Sequence, residues 1–332
     1  MLAGLSNVDS LAAGINLPLI LEKTIGEKLC ESVSFEEFYK YYICDVQAVV
    51  DKVTLEISNS RRERAKYNPL PMRTLLVDDC IDKGLDFNNG GARYKWSVIN
   101  FAGLVNVIDS MLVIKDFVFD KKRYSSMELV GLLENNDGAF LAEARKCELC
   151  FGTDSDEANG FSKRISTEIF SMLDNKPVYM GEGFLPASIQ FQSQVTAGRA
   201  VGATPDGRVG ASPLADSLAP IFGKDINGPT ALLRSVTSLD LKRALGIPVL
   251  NFNVDPEFSD ETLKALILGY MALGGVQMQL TCTCLETLLE AYENPEMHRN
   301  LIVRVGGYSE YFHVLNDGTK KMIIERSIQK LR

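Results

Sequence analysis

Between residues 276 and 305 the hydrophobic pattern changes period twice, and no other feature of the chain limits its fold as tightly. Val276, Met278, Leu280 and Cys282 alternate with Gln277, Gln279, Thr281 and Thr283, the period of two that a strand requires. Leu285, Leu288, Leu289 and Tyr292 then recur at helical spacing, and Leu301 to Val305 forms a second short apolar run. Beyond it, Lys320 to Ile328 reads as a closing helix. Strand, helix, strand, loop, helix is the order of an α/β protein.

The first half is predicted to be helix-rich. Ser34-Phe35-Glu36-Glu37 has the form of a capping box, and Phe35, Phe38, Val46, Val49, Val50 and Val53 continue an apolar stripe behind it. Ser125-Ser126-Met127-Glu128 predicts a second box, opening a helix that runs to about Glu134. From Val98 to Phe119 the chain is apolar almost all round, as expected of a helix buried in a large protein. Ser259-Asp260-Glu261 leads into a helix marked by Leu263, Leu266, Ile267 and Tyr270. Ser188, Gln190, Gln192 and Gln194 occupy alternate positions and predict a polar strand face.

Composition excludes several function classes. The 332 residues carry 35 basic and 43 acidic side chains, a net charge of −8. The densest basic cluster, Arg61-Arg62-Glu63-Arg64, contains an acid, so no sustained basic face for nucleic acid is expected. The most apolar stretch, Phe101 to Phe119, is broken by Asn106, Asp109, Lys115 and Asp116, whereas a membrane span needs roughly 20 mostly apolar residues. Met1-Leu2-Ala3-Gly4 lacks the basic start of a signal peptide, and seven cysteines without one indicate reduced thiols in a cytoplasm. Cys147-Glu148-Leu149-Cys150, expected at a helix, is a lone pair, and structural zinc wants four ligands, so no metal site is expected. Cys282 and Cys284 are read as packing on one strand face. Of the two histidines, His298 belongs to a surface turn and His313 is read as structural.

Two passages carry chemistry. From Gly202 to Ala231 the chain is irregular: Pro-Asp-Gly at 205–207 is a turn signal, and Pro213, Pro220 and Pro229 each interrupt regular structure. A loop of this length in a compact chain is usually functional. The Gly/Pro/Ser-rich region around 181–230 is also the best candidate boundary. Near the end stands Arg304-Val305-Gly306-Gly307-Tyr308-Ser309. Removal of a hydrogen atom from the Gly307 Cα would leave an unpaired electron between an amide nitrogen and a carbonyl carbon. Both delocalise it, and no Cβ opposes flattening of that centre. Such Gly-Gly pairs also serve as plain turns.

That hexapeptide closely resembles the radical-bearing loop of glycyl radical enzymes. Gly202-Ala203-Thr204-Pro205-Asp206-Gly207-Arg208 and Pro213-Leu214-Ala215-Asp216-Ser217 resemble a passage of the pyruvate formate-lyase and glycyl radical dehydratase superfamily. Gly90-Gly91-Ala92-Arg93-Tyr94, with Asp78-Asp79-Cys80-Ile81 before it and Trp96 after it, is a third match. The resemblance runs from about residue 15 to the end. It implies an α/β fold, the C-terminal half of a ten-stranded α/β barrel with helices outside and the radical glycine on an inward loop. The implied division is a barrel region at 1–200 and a glycine radical domain at 201–332, in one structural unit. It implies that Gly307 stores the radical, supported by Arg304, Val305, Gly306, Tyr308 and Ser309, with Thr204, Asp206 and Arg208 on a loop beside the cavity. Arg304 is expected to hold the loop by pairing with a carboxylate, Tyr308 to pack over it, and Asp206 and Arg208 either to pair or to be solvated.

The implied cofactor is the radical itself, installed by an S-adenosylmethionine and iron–sulfur activase, with nothing else bound. The implied activity is cleavage of a small polar substrate, in an anaerobic cytoplasm. Family members pass the radical to a cysteine in a Gly-Cys-x-Glu setting. Here the cysteines follow Leu29, Ile43, Asp79, Lys146, Leu149, Thr281 and Thr283, never glycine. Asn16-Leu17-Pro18 resembles the passage just after that cysteine loop, so a split or truncated enzyme is expected. Leu11 falls where diol dehydratases of the family carry an acid, which puts that activity in question. Open strand edges call for a partner, a complementary half or a second copy. The alternative is a non-catalytic radical spare part or an inert remnant.

Overall fold

The computed structural model describes residues 5–190, 193–221, 224, 227–254, 258–305 and 308–327. Among these, five strands run parallel in chain order. β1 (Asn7–Asn16) pairs with β2 (Tyr94–Ala102), and β2 with β3 (Gly183–Ala187). β4 (Leu250–Asn253) pairs with β5 (Met278–Thr281). One parallel bridge, Ser188 to Pro248, joins the two sheets, with the Val249 N–H donating to the Ser188 carbonyl at 3.0 Å.

Parallel neighbours require long crossovers, and helices supply each of them. α1 (Leu17–Lys28), α2 (Phe35–Tyr67), α3 (Pro71–Leu76) and α4 (Cys80–Lys83) connect β1 to β2. α5 (Leu104–Ile114), α6 (Ser126–Glu134), α7 (Gly138–Arg145) and α8 (Asp156–Ser171) connect β2 to β3. α9 (Ser193–Arg199) and α10 (Gly228–Ser238) lead to β4, and α11 (Asp260–Ala272) leads to β5. The fold is mixed α/β, as the periodicity requires.

The caps follow from side-chain chemistry. Ser125 accepts from the Glu128 N–H while Glu128 accepts from the Ser125 N–H, a complete capping box. Ser34 accepts from the Glu37 N–H, but the Glu37 carboxylate takes the Val33 N–H, one residue earlier than the box predicts. Ser259 caps α11 through the Thr262 N–H.

The apolar stretch from Val98 to Phe119 is not one helix. Residues 94–102 form β2, α5 follows with every residue buried, and Lys115–Asp120 makes a π-helical turn. A strand covered on both faces reads as a continuous apolar run, so periodicity could not separate it from the helix. The break is Gly103, at φ +73°, where a Cβ would lie 2.5 Å from Pro18 Cγ. The expected polar strand at 188–194 is also absent: β3 stops at Ala187 and Ser193 opens α9, while Gln192 lies outside the described residues. Cys282 and Cys284 share no strand face either. β5 ends at Thr281, Cys282 is exposed, and Cys284 stands at the start of α12 (Leu285–Glu293) with Sγ 2.8 Å from Thr287 Oγ1.

The basic cluster at 61–64 points partly inward. Arg61 is 3% exposed and donates to the carbonyls of Lys95 (3.0 Å) and Met180 (3.2 Å) and to Ser97 Oγ (3.0 Å). Arg64 donates to both carboxylate oxygens of Asp9. These bonds tie α2 to β1 and β2. The chain closes with α12, an antiparallel pair of β6 (Ile302–Arg304) and β7 (Ser309–Tyr311), and α13 (Asp317–Ser327). Leu288, Val303, Val305, Phe312 and Ile323 form a small core of their own there.

Candidate functional site

The β6–β7 hairpin positions the hexapeptide. Arg304 pairs with Ser309, and the Val305 N–H donates to the Tyr308 carbonyl at 3.0 Å. Gly306 and Gly307 lie outside the described residues. Their flanks differ in exposure: Val305 is fully buried, whereas Tyr308 is partly exposed. Arg304 donates from Nε to Gln279 Oε1 at 3.0 Å and from Nη1 to Ser309 Oγ at 3.3 Å. A glutamine on β5 is therefore one of the partners that hold Arg304. β5 buries Gln279 and Thr281 and leaves Met278 and Leu280 half-buried, so its polar face is the better covered one. A groove of about 520 Å³ opens at this junction, lined by residues 277–283 of β5 and its flanks together with Ile302, Val303, Arg304 and Ser309.

The loop after α9 is buried rather than solvated. Asp206 is fully buried and Arg208 is 5% exposed. Asp206 accepts from Thr204 Oγ1, from the Arg208 N–H and from Asn106 Nδ2, the last at 2.7 Å. The Arg208 guanidinium is used on the carbonyls of Val201, Gly202, Val209 and Ser212 and on Thr204 Oγ1, not on the Asp206 carboxylate. A fork of five donors suits such a set of carbonyls better than a single acceptor. Gly207, at φ +92°, brings its backbone against α7, where a Cβ would lie 2.6 Å from the Leu141 carbonyl oxygen. Thr204 borders a hollow of about 630 Å³ walled by α1 and α6.

From Asp206 the polar wiring continues to the strand ends. Asn106 of α5 also accepts the Ala215 N–H at 2.7 Å. Asp216 accepts from Asn251 Nδ2 of β4 at 2.8 Å and from Ser217 Oγ at 3.1 Å, and Ser217 Oγ accepts the Gln190 N–H. Asn100 Oδ1 of β2 takes the Ile189 N–H at 2.8 Å. The loop is thus fastened to α5, to β4 and, through Gln190, to the segment that follows β3. Sequence reasoning counted Asn106 only as an interruption of an apolar run. A lone amide inside such a run is the signal that could have identified it.

Next to this wiring Asp109 and Lys224, both buried, face each other at 3.6 Å. Asp109 accepts the Phe151 N–H at 2.7 Å, and burial pushes its carboxyl up to about 6. Burial pulls the Lys224 ammonium down, but Asp109, with Cys150, Asp206 and Cys147 behind it, outweighs that and leaves it raised. The Cys147–Cys150 pair lies past the end of α7 rather than on a helix, and both thiols are buried. Burial, then Asp109, pushes Cys150 up to about 12, which makes it a poor nucleophile. His298 is half-buried, 3.5 Å from Glu290, and the His313 ring lies tilted beside that of Tyr311, 5.9 Å between centroids. Among the described residues no three His, Cys, Asp or Glu side chains could hold a metal, and no helix is long and apolar enough to cross a membrane.

The pyruvate formate lyase-like family matches residues 12–198, and the glycine radical family matches 214–313. The chain is 32% identical over 305 residues to the trans-4-hydroxy-L-proline dehydratase of Clostridioides difficile, covering 89% of this chain and 38% of that protein. It is 29% identical over 305 residues to the isethionate sulfite-lyase of Bilophila wadsworthia (strain 3_1_6), covering 89% of this chain and 37% of the relative. The glycerol-bound B12-independent glycerol dehydratase of Clostridium butyricum superposes with a TM-score of 0.89 at 31% identity, covering 94% of this chain and 42% of that one. The chain therefore spans about 40% of the length of these relatives. On the extent of the family match and the agreement of fold, the chain belongs to the pyruvate formate lyase-like family of glycyl radical enzymes.

Proposed function

We propose that this chain is the glycine-radical part of a radical eliminase, with Gly307 as the carbon that stores the unpaired electron. A radical S-adenosylmethionine activase removes one hydrogen atom from its Cα. The stored radical then generates a thiyl on a cysteine in a Gly-Cys-x-Glu setting, carried by polypeptide other than these 332 residues. The thiyl takes a hydrogen atom from a small polar substrate, whose C–O, C–C or C–N bond then breaks. Relatives named as dehydratases and as a sulfite-lyase favour elimination from a hydroxylated or anionic small molecule over acyl transfer. Residues 1–200 act as the barrel region and 201–332 as the radical domain, in one unit.

The observation that carries this reading is the hairpin bearing Arg304 to Ser309. It is held to a buried polar strand face inside the region matched as a glycine radical domain. A second reading, a radical spare part without turnover, is favoured by the lack of any cysteine preceded by glycine.

Anaerobic incubation of the chain with an activase, S-adenosylmethionine and a reductant should give a doublet in the EPR spectrum that Gly307→Ala abolishes. Adding a polypeptide that carries the Gly-Cys-x-Glu segment should then yield turnover. A doublet without turnover supports the spare-part reading, and no doublet overturns both.

A further inference from the structure

We propose that Gln279 is the positioning residue of the radical hairpin, an inference that rests on the reading above. Gln279 lies on β5, is 9% exposed, and accepts the Arg304 Nε–H at 3.0 Å. Its strand is otherwise hard to explain. β5 buries an amide and a hydroxyl and leaves Met278 and Leu280 on its half-buried face, the reverse of what apolar burial favours. Burying a polar side chain is costly unless it is hydrogen-bonded, so a glutamine at the covered position marks an acceptor the fold requires.

The same guanidinium reaches Ser309 Oγ, so one side chain spans both strands of the hairpin and the sheet beside it. Arg304 and Ser309 are directly opposed in the β6–β7 register, next to the Val305–Tyr308 backbone bond that encloses Gly306 and Gly307 in sequence. One path from the sheet toward the radical carbon therefore runs from Gln279 to Arg304 and on through Val305. A glutamine oxygen fixes the guanidinium in direction without the diffuse attraction of a charge. Its loss leaves a charged donor at the edge of the polar groove without that acceptor.

The consequence is kinetic. A hairpin displaced for a larger fraction of time exposes its radical for that fraction, so decay speeds up in proportion. Losing a hydrogen bond to a charged group corresponds to a shift of about ten-fold or more. Gln279→Leu, close in volume, should shorten the anaerobic lifetime of the EPR doublet about ten-fold. Gln279→Glu, which keeps an acceptor facing Arg304, should restore it. In an Arg304→Met background, Gln279→Leu should shorten the lifetime by much less than ten-fold, since the bond between the two side chains is already gone.

A wild-type lifetime in Gln279→Leu overturns the proposal. So does a Gln279→Glu variant that decays as fast as Gln279→Leu at an equal melting temperature, because the role is then packing. If the wild-type chain gives no doublet, the reading of Gly307 fails, and the mooring is judged separately by hydrogen exchange at the Val305 amide. Faster exchange in Gln279→Leu supports the mooring, and unchanged exchange overturns it.

Discussion

At the scale of single residues, Asp109 and Lys224 are a buried pair whose partners make unequal demands. Asp109 has one N–H donor and an ammonium 3.6 Å away, too little to offset full burial, so its carboxyl rises to about 6 from an ordinary value of 3.8. A folded-state pKa above the unfolded one means that the folded chain binds the proton more tightly. The stability from this group is complete below the ordinary carboxylate range and is lost as pH rises through about 6. Asp109→Asn removes that slope and leaves a pH-independent cost at Lys224. Between pH 4 and 7 the variant should therefore gain on the wild-type chain, by on the order of 2 kcal/mol, in urea unfolding followed across pH. A constant difference over that window contradicts the account. The sequence could not show this pair, because Asp109 and Lys224 are far apart in the chain and meet only through α5 and the loop before α10.

At the scale of elements, what was legible depended on whether local chemistry or tertiary cover decided the outcome. The Ser125 box and the Ser259 cap are local, and both stand where the residues predict. The strand before Gly103 is not local: its burial on both faces erased the alternation that would have announced it. β5 was legible as a strand but misleading in its faces, because the cover over Gln279 comes from a hairpin some 25 residues later. The Gly103 corner makes this testable. Its φ of +73° and a Cβ position 2.5 Å from Pro18 Cγ leave no room for a methyl group, and Leu214 Cδ1 closes the far side at 3.1 Å. Gly103→Ala should lower unfolding free energy by about 2–3 kcal/mol, read as a lower urea midpoint at unchanged slope. Gly131→Ala, in α6 with nothing within 4 Å of the added carbon, should be neutral or slightly stabilising.

At the scale of the molecule, five parallel strands in one sequential run leave, among the described residues, an edge at β1 and another at β5. Natural sheets cover such edges, and the relatives are more than twice as long, consistent with our proposal of a complementary polypeptide. The resemblance carried by three short motifs was enough to reach the family. It was not enough to reach the wiring beneath them: Asp206 and Arg208 were legible as a turn, but their burial and the bond from Asn106 to Asp206 were not. The central claim is that Gly307 carries the spin, and it is tested most directly by where oxygen cuts the chain. A sample with a recorded doublet, exposed to air and weighed by mass spectrometry, should split at Gly307, leaving the 25 residues beyond it on the small fragment. An intact chain, or a break at any other residue, contradicts the account.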